Sequence, residues 1–129
     1  LRNYNLPYLD APYAALMQDL EDRGLLDETL VVTMSDFGRT PKINKNAGRD
    51  HWPQCGFVVM AGGGMRPGVV LGKTDKQAAY PVDRPVSAGD MAATIYQQLG
   101  VDPTLSVDDL QGRPIHIAHG GAPVWEVIG

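Results

Sequence analysis

The chain has 129 residues, a formal net charge of −4, and a composition that is 43% hydrophobic and 20% charged. These values predict one globular domain with a core of its own. The acidic balance argues against nucleic-acid binding, which normally requires a basic surface. No apolar run is long enough to span a membrane. The single cysteine, Cys55, excludes an intrachain disulfide.

The first half of the chain predicts one helix and two strands. Apolar residues recur at helical spacing across residues 8–23, and Gly24 is a typical helix stop. The run 29–34 is apolar on both faces, as in an interior strand of a mostly parallel sheet. A second such run spans residues 56–61. The three glycines at 62–64 then predict a turn between strands.

The second half begins with a short apolar run at 69–72, which we interpret as a strand. Residues 73–86 contain two prolines and five charged residues and predict a surface excursion. Ser87 and Asp90 have the spacing of a capping box, in which each side chain bonds the backbone N–H of the other residue. They predict the start of a second helix, and Gly100 predicts its end.

The C-terminal residues give weaker signals. Residues 102–111 are polar and predict a loop, whereas 113–117 and 124–128 each predict a short strand or an edge segment. The order of the elements favours an α/β fold, in which helices pack on a mostly parallel central sheet in three layers. Two convincing central strands make a narrow sheet for that architecture.

The most distinctive stretch joins the two apolar runs. Ser35-Asp36-Phe37-Gly38-Arg39-Thr40-Pro41 follows the first run, and Gly48-Arg49-Asp50-His51-Trp52-Pro53 precedes the second. Residues 37–49 contain four basic and no acidic residues within an acidic chain, which favours a small anion over a polyanion. On charge alone, a solvated basic loop explains the same pattern. Because ligands bind outside the carboxyl ends of strands in open α/β sheets, we expect the chemistry here.

Asp36 and His51 are the candidate metal ligands of this loop. A carboxylate and an imidazole are common ligands of Zn or Mn, although two ligands do not complete a site. Asp36 has the alternative of capping the loop through the N–H groups of Gly38 and Arg39. His51 has the alternative of a half-buried imidazole bonded to a backbone carbonyl. Spacing alone favours these alternatives over metal binding.

The two loop motifs, with Met60–Arg66 and Pro85–Leu99, resemble the C-terminal part of a bacterial family of sulfatase-like proteins. That family belongs to the alkaline-phosphatase-like superfamily of metal-dependent hydrolases. The resemblance implies that residues 1–129 form a single domain that is the C-terminal portion of a larger alkaline-phosphatase-like domain. It implies a fragment of a three-layer sandwich and hydrolysis of a sulfate or phosphate ester.

The same resemblance implies the functional residues. Asp36 would bind one of two divalent metals (Zn, Mn or Ca) and His51 the other. Arg39 and Arg49 would bind the anionic ester, because a guanidinium matches sulfate or phosphate oxygens bidentately. Asp50 would orient His51 from outside the metal site. Family members are often exported to the periplasm, which this chain does not itself show.

Two departures from the superfamily pattern favour an alternative function. Phe37 stands where many of these enzymes have a second histidine ligand, and the nucleophile and further acidic ligands are expected outside this chain. The alternative is a non-catalytic module with a degenerate metal centre and a binding or structural role. An exposed sheet edge would also favour a homo-oligomer.

Several other polar residues are not assigned to the site. Arg39 and Arg49 have the alternative of surface ion pairs with Asp50, and Asp50 has the alternative of facing water. Cys55 lies beside a buried strand without a neighbouring base, which is typical of inert thiols. We interpret the histidines of the C-terminal tail, His116 and His119, as surface residues.

Overall fold

A computed structural model describes residues 5–129 of the chain. Two α-helices span Asn5–Asp22 (α1) and Ala88–Gln98 (α2). Two single-turn 3₁₀ helices span Leu26–Glu28 and Trp125–Val127. None of the helices among the described residues is both long and apolar enough to cross a bilayer.

The strands form four separate two-stranded antiparallel sheets within residues 5–129. The first sheet pairs Val31 with Ala61 and Thr33 with Val59. The eight strands in chain order are Val31–Thr33 (β1), Gly38–Arg39 (β2), His51–Trp52 (β3), Val59–Ala61 (β4), Lys73–Thr74 (β5), Pro81–Asp83 (β6), Ser106–Asp108 (β7) and Pro114–His116 (β8). The paired strands are β1 with β4, β2 with β3, β5 with β6, and β7 with β8.

The predicted α/β three-layer sandwich with a mostly parallel central sheet is wrong. The two apolar runs do pair, but as the antiparallel strands β1 and β4. Parallel pairing needs a crossover connection, usually a helix, whereas the connection between β1 and β4 contains the β2–β3 hairpin. An apolar run on both faces indicates burial but carries no information about the direction in which a strand pairs.

Both helices were predicted correctly, and the capping box at the start of α2 is confirmed. The Ser87 hydroxyl accepts a hydrogen bond from the Asp90 backbone N–H at 3.0 Å. The Asp90 carboxylate accepts one from the Ser87 N–H at 2.9 Å. These bonds satisfy two backbone donors that the first helical turn otherwise leaves unpaired.

The predictions for the other short elements were mixed. The strand predicted within 113–117 is confirmed as β8. Residues 69–72 form no strand, and pairing begins afterwards with β5. The loop predicted at 102–111 contains β7, and the segment 124–128 forms a 3₁₀ helix instead of a strand. The strand β7 forms because it pairs with β8, and local composition does not identify such a partner.

The best-buried residues lie where α2 meets the C-terminal segment. Ala93, Thr94, Ala118 and Val124 are each at most 2% exposed. Gly121 allows this approach, because a Cβ atom there would overlap the backbone of Gly89 in α2. The Asp90 carboxylate also accepts a hydrogen bond from the Ala122 N–H at 3.0 Å. Small residues and one acid therefore hold helix and tail together.

Candidate functional site

The β2–β3 hairpin carries most of the predicted site residues. Arg39 pairs with His51, and Gly38 pairs with Trp52. Gly38 lies so close to the next segment that a Cβ atom would overlap the carbonyl oxygen of Cys55. Only glycine fits this approach without a shift of the backbone. The close approach to Cys55 thus explains why the Asp36-Phe37-Gly38 motif has glycine at its third position.

Phe37 links the two predicted metal ligands. Its ring stacks on the imidazole of His51, with ring centroids 3.7 Å apart and an angle of 19° between the planes. Asp36 is the residue immediately before Phe37 in the chain. The segment that follows β1 carries Asp36, and its Phe37 ring contacts the side chain of His51. Asp36 and His51 are both exposed to solvent.

In the part of the chain that it describes, the structure shows neither a loop cap formed by Asp36 nor a half-buried His51 bonded to a backbone carbonyl. The hydrogen bond that Asp36 accepts comes from the neighbouring Ser35 hydroxyl, at 3.3 Å. Within residues 5–129 its carboxylate accepts none from the N–H groups of Gly38 or Arg39. The His51 ring contacts the Phe37 ring and is not half-buried against a carbonyl.

The loop of residues 40–50 is folded by its own polar groups. The Asn44 side-chain oxygen accepts hydrogen bonds from the N–H groups of Asn46 and Gly48, each at 3.0 Å. The Asn44 side-chain amide donates to Asp50 at 2.8 Å. The Thr40 hydroxyl accepts from the Asp50 N–H at 3.0 Å. Asp50 is thus bonded to Asn44 and not to His51, the residue we expected it to orient.

The two arginines predicted to bind an anion have different surroundings. Arg49 donates from Nη1 to the carbonyl oxygens of Thr40 and Pro41, at 2.7 and 2.8 Å. Arg49 therefore closes its own loop, although its side chain remains exposed. The Arg39 guanidinium carbon lies 5.4 Å from the centroid of the Phe37 ring, a cation–π distance. Arg39 Nη1 also donates to the Arg49 carbonyl oxygen at 3.3 Å.

A cavity of about 880 Å³ opens beside this hairpin and is lined in part by Asp36 and Cys55. Its lining also includes Arg84, which sequence reasoning placed in a surface excursion without a role. Arg84 donates to both carboxylate oxygens of Glu126, at 2.6 and 2.9 Å. The hydrogen bond from Arg84 lowers the pKa of Glu126 to about 2. No local pattern in the sequence identifies a pair separated by 42 positions.

Trp52 connects the hairpin to the next one along the chain. Its indole Nε1 donates to the Ala79 carbonyl oxygen at 2.6 Å. Its ring meets Tyr80 edge to face, with centroids 5.6 Å apart. Both partners lie in the connection between β5 and β6. The tryptophan of the Asp50-His51-Trp52 motif therefore ties β3 to the connection between β5 and β6.

The comparison with known families gives a match over nearly the whole chain. Residues 2–128 match the family model described as a protein of unknown function, DUF1501. The chain belongs to this family. No curated protein and no solved structure matches it. Membership in DUF1501 names no activity, so the resemblance to sulfatase-like hydrolases stays a prediction.

The donor chemistry of this DUF1501 chain fits a divalent metal only in part. Asp36 and His51 offer one carboxylate and one imidazole, a combination that Zn and Mn accept. Among residues 5–129, however, no group of three or more His, Cys, Asp or Glu side chains is arranged to hold a metal ion. The described residues contribute ligands at most, and any complete site needs further groups.

Proposed function

We propose that Asp36 and His51 each supply one ligand to a pair of neighbouring divalent metals in a hydrolase of sulfate or phosphate esters. The observation that carries the proposal is the stacked Phe37–His51 pair, which holds His51 beside the segment of Asp36. When bound, such metals polarise the ester and activate the attacking group. The remaining ligands and the nucleophile would come from outside this chain, so the 129 residues alone are expected to be inactive.

The chain's own residues support the binding of a small anionic ester. Asp36 lines the cavity of about 880 Å³, a size within the usual range for small-molecule sites. Arg39 is exposed and lies beside the Phe37 ring, where its guanidinium can bind sulfate or phosphate oxygens. Arg49 holds its loop together through the two carbonyl groups that it binds, and the residue remains exposed to solvent. The basic loop of residues 37–49 adds a positive local potential.

Metal stoichiometry tests the ligand assignment. Bound Zn and Mn would be measured by elemental analysis in the full-length protein and in its Asp36→Ala and His51→Ala variants. We expect each variant to lose metal, because one ligand of a bound ion is removed. Asp108→Ala and His116→Ala are the matched controls, since both residues are exposed and lie in the separate β7–β8 hairpin. Equal metal content in all five proteins would overturn the assignment.

The second candidate is a non-catalytic module with a binding or structural role. It is favoured by the Phe37 ring, which covers one face of His51. It is also favoured by the absence of a complete ligand group within the described residues. Hydrolysis of an aryl sulfate or aryl phosphate by the full-length protein, lost on chelation and restored by metal, would exclude this candidate. A metal-replete protein with no such hydrolysis would support it.

A further inference from the structure

The ring of Phe37 holds the imidazole of His51 by stacking and not through a hydrogen bond. The centroids of the two rings lie 3.7 Å apart, with an angle of 19° between the planes. Among residues 5–129, no hydrogen bond reaches either ring nitrogen of His51. The neighbouring carboxylate, Asp50, is bonded to Asn44 at 2.8 Å instead. The stack is therefore the contact that orients this imidazole within the described part of the chain.

This arrangement differs from the usual support of a histidine that binds a metal. Such a histidine almost always donates its second ring N–H to a carboxylate, a backbone carbonyl or a water, and that bond fixes the orientation of the ring. A stacked aromatic ring fixes the plane of the imidazole without occupying a nitrogen. The lone pair and the N–H group of an imidazole lie in the ring plane, whereas Phe37 covers a face of His51. Both nitrogens of the exposed His51 thus stay accessible at the edge of the stack.

The register of the hairpin explains why the two rings meet. Phe37 lies two residues before Arg39, and Arg39 pairs directly with His51. Side chains two positions apart in an extended chain point to the same side, and directly paired residues share a face. Phe37, Arg39 and His51 therefore lie on one face of the β2–β3 hairpin. The Arg39 guanidinium carbon is 5.4 Å from the centroid of the Phe37 ring, which agrees with this placement.

The backbone beside each ring is held from outside the stack. Gly38 follows Phe37, and it approaches the backbone of the next segment so closely that there is no space for a Cβ atom. Trp52 follows His51, and its indole N–H is bonded to the connection between β5 and β6 at 2.6 Å. Gly38 and Trp52 also pair with each other across the hairpin. The two rings thus project from backbone positions that other contacts keep in place.

From these contacts we propose that Phe37 is a positioning residue, which orients the imidazole of His51 for metal binding. The proposal rests on the assignment of His51 as a ligand in the proposed function. The Phe37 side chain has no donor or acceptor atom, so it affects a bound metal only through the imidazole that it holds.

Zn affinity tests the proposal. Zn would be titrated into the metal-stripped full-length protein in competition with a chelator of known affinity. Phe37→Leu should raise the dissociation constant about 10–100-fold, as for other groups that orient a metal ligand. Phe37→Tyr keeps the stacked ring and should stay within about twofold of the wild-type value. Phe57→Leu is the matched control, because it removes a ring that lines the same cavity and does not stack on His51.

A double-mutant cycle separates positioning from a general effect on the fold. In a His51→Ala background, Phe37→Leu should change the Zn dissociation constant by less than about twofold, because the residue through which Phe37 acts is gone. An equal loss of affinity in both backgrounds would overturn the proposal. Phe37→Met takes the place of Phe37→Leu if far-UV circular dichroism shows that the leucine variant does not fold.

The stack itself is measured in the absence of metal. The ring protons of His51, identified by their loss in His51→Ala, should resonate upfield of a free imidazole in the metal-stripped protein, since they lie against an aromatic face. Phe37→Leu should abolish this upfield shift and Phe37→Tyr should keep it. A signal that Phe37→Leu leaves unchanged would overturn the proposal.

The Zn titrations also distinguish this proposal from the ligand assignment on which it rests. Wild-type Zn affinity in His51→Ala would refute the ligand assignment, and the positioning role with it. Reduced affinity in His51→Ala together with wild-type affinity in Phe37→Leu would refute the positioning role alone.

Discussion

Replacing Thr94 by valine should destabilise the fold more than its small change in shape suggests. Thr94 is fully buried at the contact between α2 and the C-terminal segment. Its hydroxyl donates to the Asp90 carbonyl oxygen at 2.7 Å and accepts from the Val124 N–H at 2.9 Å. Valine keeps the shape of the side chain and removes both bonds.

The loss of stability in Thr94→Val depends on which hydrogen bonds the Asp90 carbonyl and the Val124 N–H can still make. The Asp90 carbonyl oxygen is inside α2 and can keep its backbone partner, so its loss is small. The Val124 N–H is buried and would have no acceptor. An unsatisfied buried donor costs about 1–3 kcal/mol. For a chain of this size, each kcal/mol corresponds to roughly 4 °C in Tm. We therefore expect the free energy of unfolding to fall by about 1–3 kcal/mol.

Urea denaturation followed by circular dichroism measures this difference, and two variants serve as controls. Thr94→Ser keeps the hydroxyl and loses one methyl group, so it should cost only about 0.8 kcal/mol. Thr104→Val removes an exposed hydroxyl that bonds Asp102, and water can replace that bond, so we expect a change within about 0.5 kcal/mol. The reasoning fails if Thr94→Val is as stable as the wild type, or if Thr94→Ser loses more stability than Thr94→Val.

Two further predictions concern the cavity and the hairpin. The lowered pKa of Glu126, about 2 against an ordinary 4.5, means that its pair with Arg84 stabilises the fold fully above pH 4.5 and progressively less as the pH falls towards 2. The difference in Tm between wild type and Glu126→Gln should therefore shrink over that range, and a constant difference would contradict the assignment. Gly38→Ala should lower the free energy of unfolding by at least about 2 kcal/mol, because its Cβ overlaps the Cys55 carbonyl oxygen. Nuclear Overhauser contacts between Phe37 and His51 should weaken in that variant, and their persistence at full stability would refute the close approach.

The sequence predicted those parts of the fold that are determined locally. The start of α2 could be read from Ser87 and Asp90 because a capping box is formed by residues three positions apart. The periodicity of residues 8–23 gave α1 for the same reason. The direction of β1 and β4 could not be read, since two apolar runs fit parallel and antiparallel pairing equally well.

In the candidate site, too, the sequence predicted local features and missed those that depend on three-dimensional contacts. The loop between Asp36 and His51 was recognisable as polar and basic, and its two ends do meet through Phe37. Phe37, which stands where many alkaline-phosphatase-like enzymes have a second histidine ligand, thus stacks its ring on His51. Arg49 was expected to bind an anion, but its hydrogen bonds to Thr40 and Pro41 depend on how the loop turns back on itself. Such contacts follow from three-dimensional closure and leave no trace in residue spacing.

The carboxylate of Asp90 bonds both the first turn of α2, through Ser87, and the C-terminal segment, through Ala122. These hydrogen bonds also hold the pKa of Asp90 below its usual value. Detaching the last dozen residues would remove one of the bonds that orient the Asp90 carboxylate, and unwinding the helix start would release Ala122. Helix and tail should consequently open as one cooperative unit, with amide protons that exchange with solvent at a common rate.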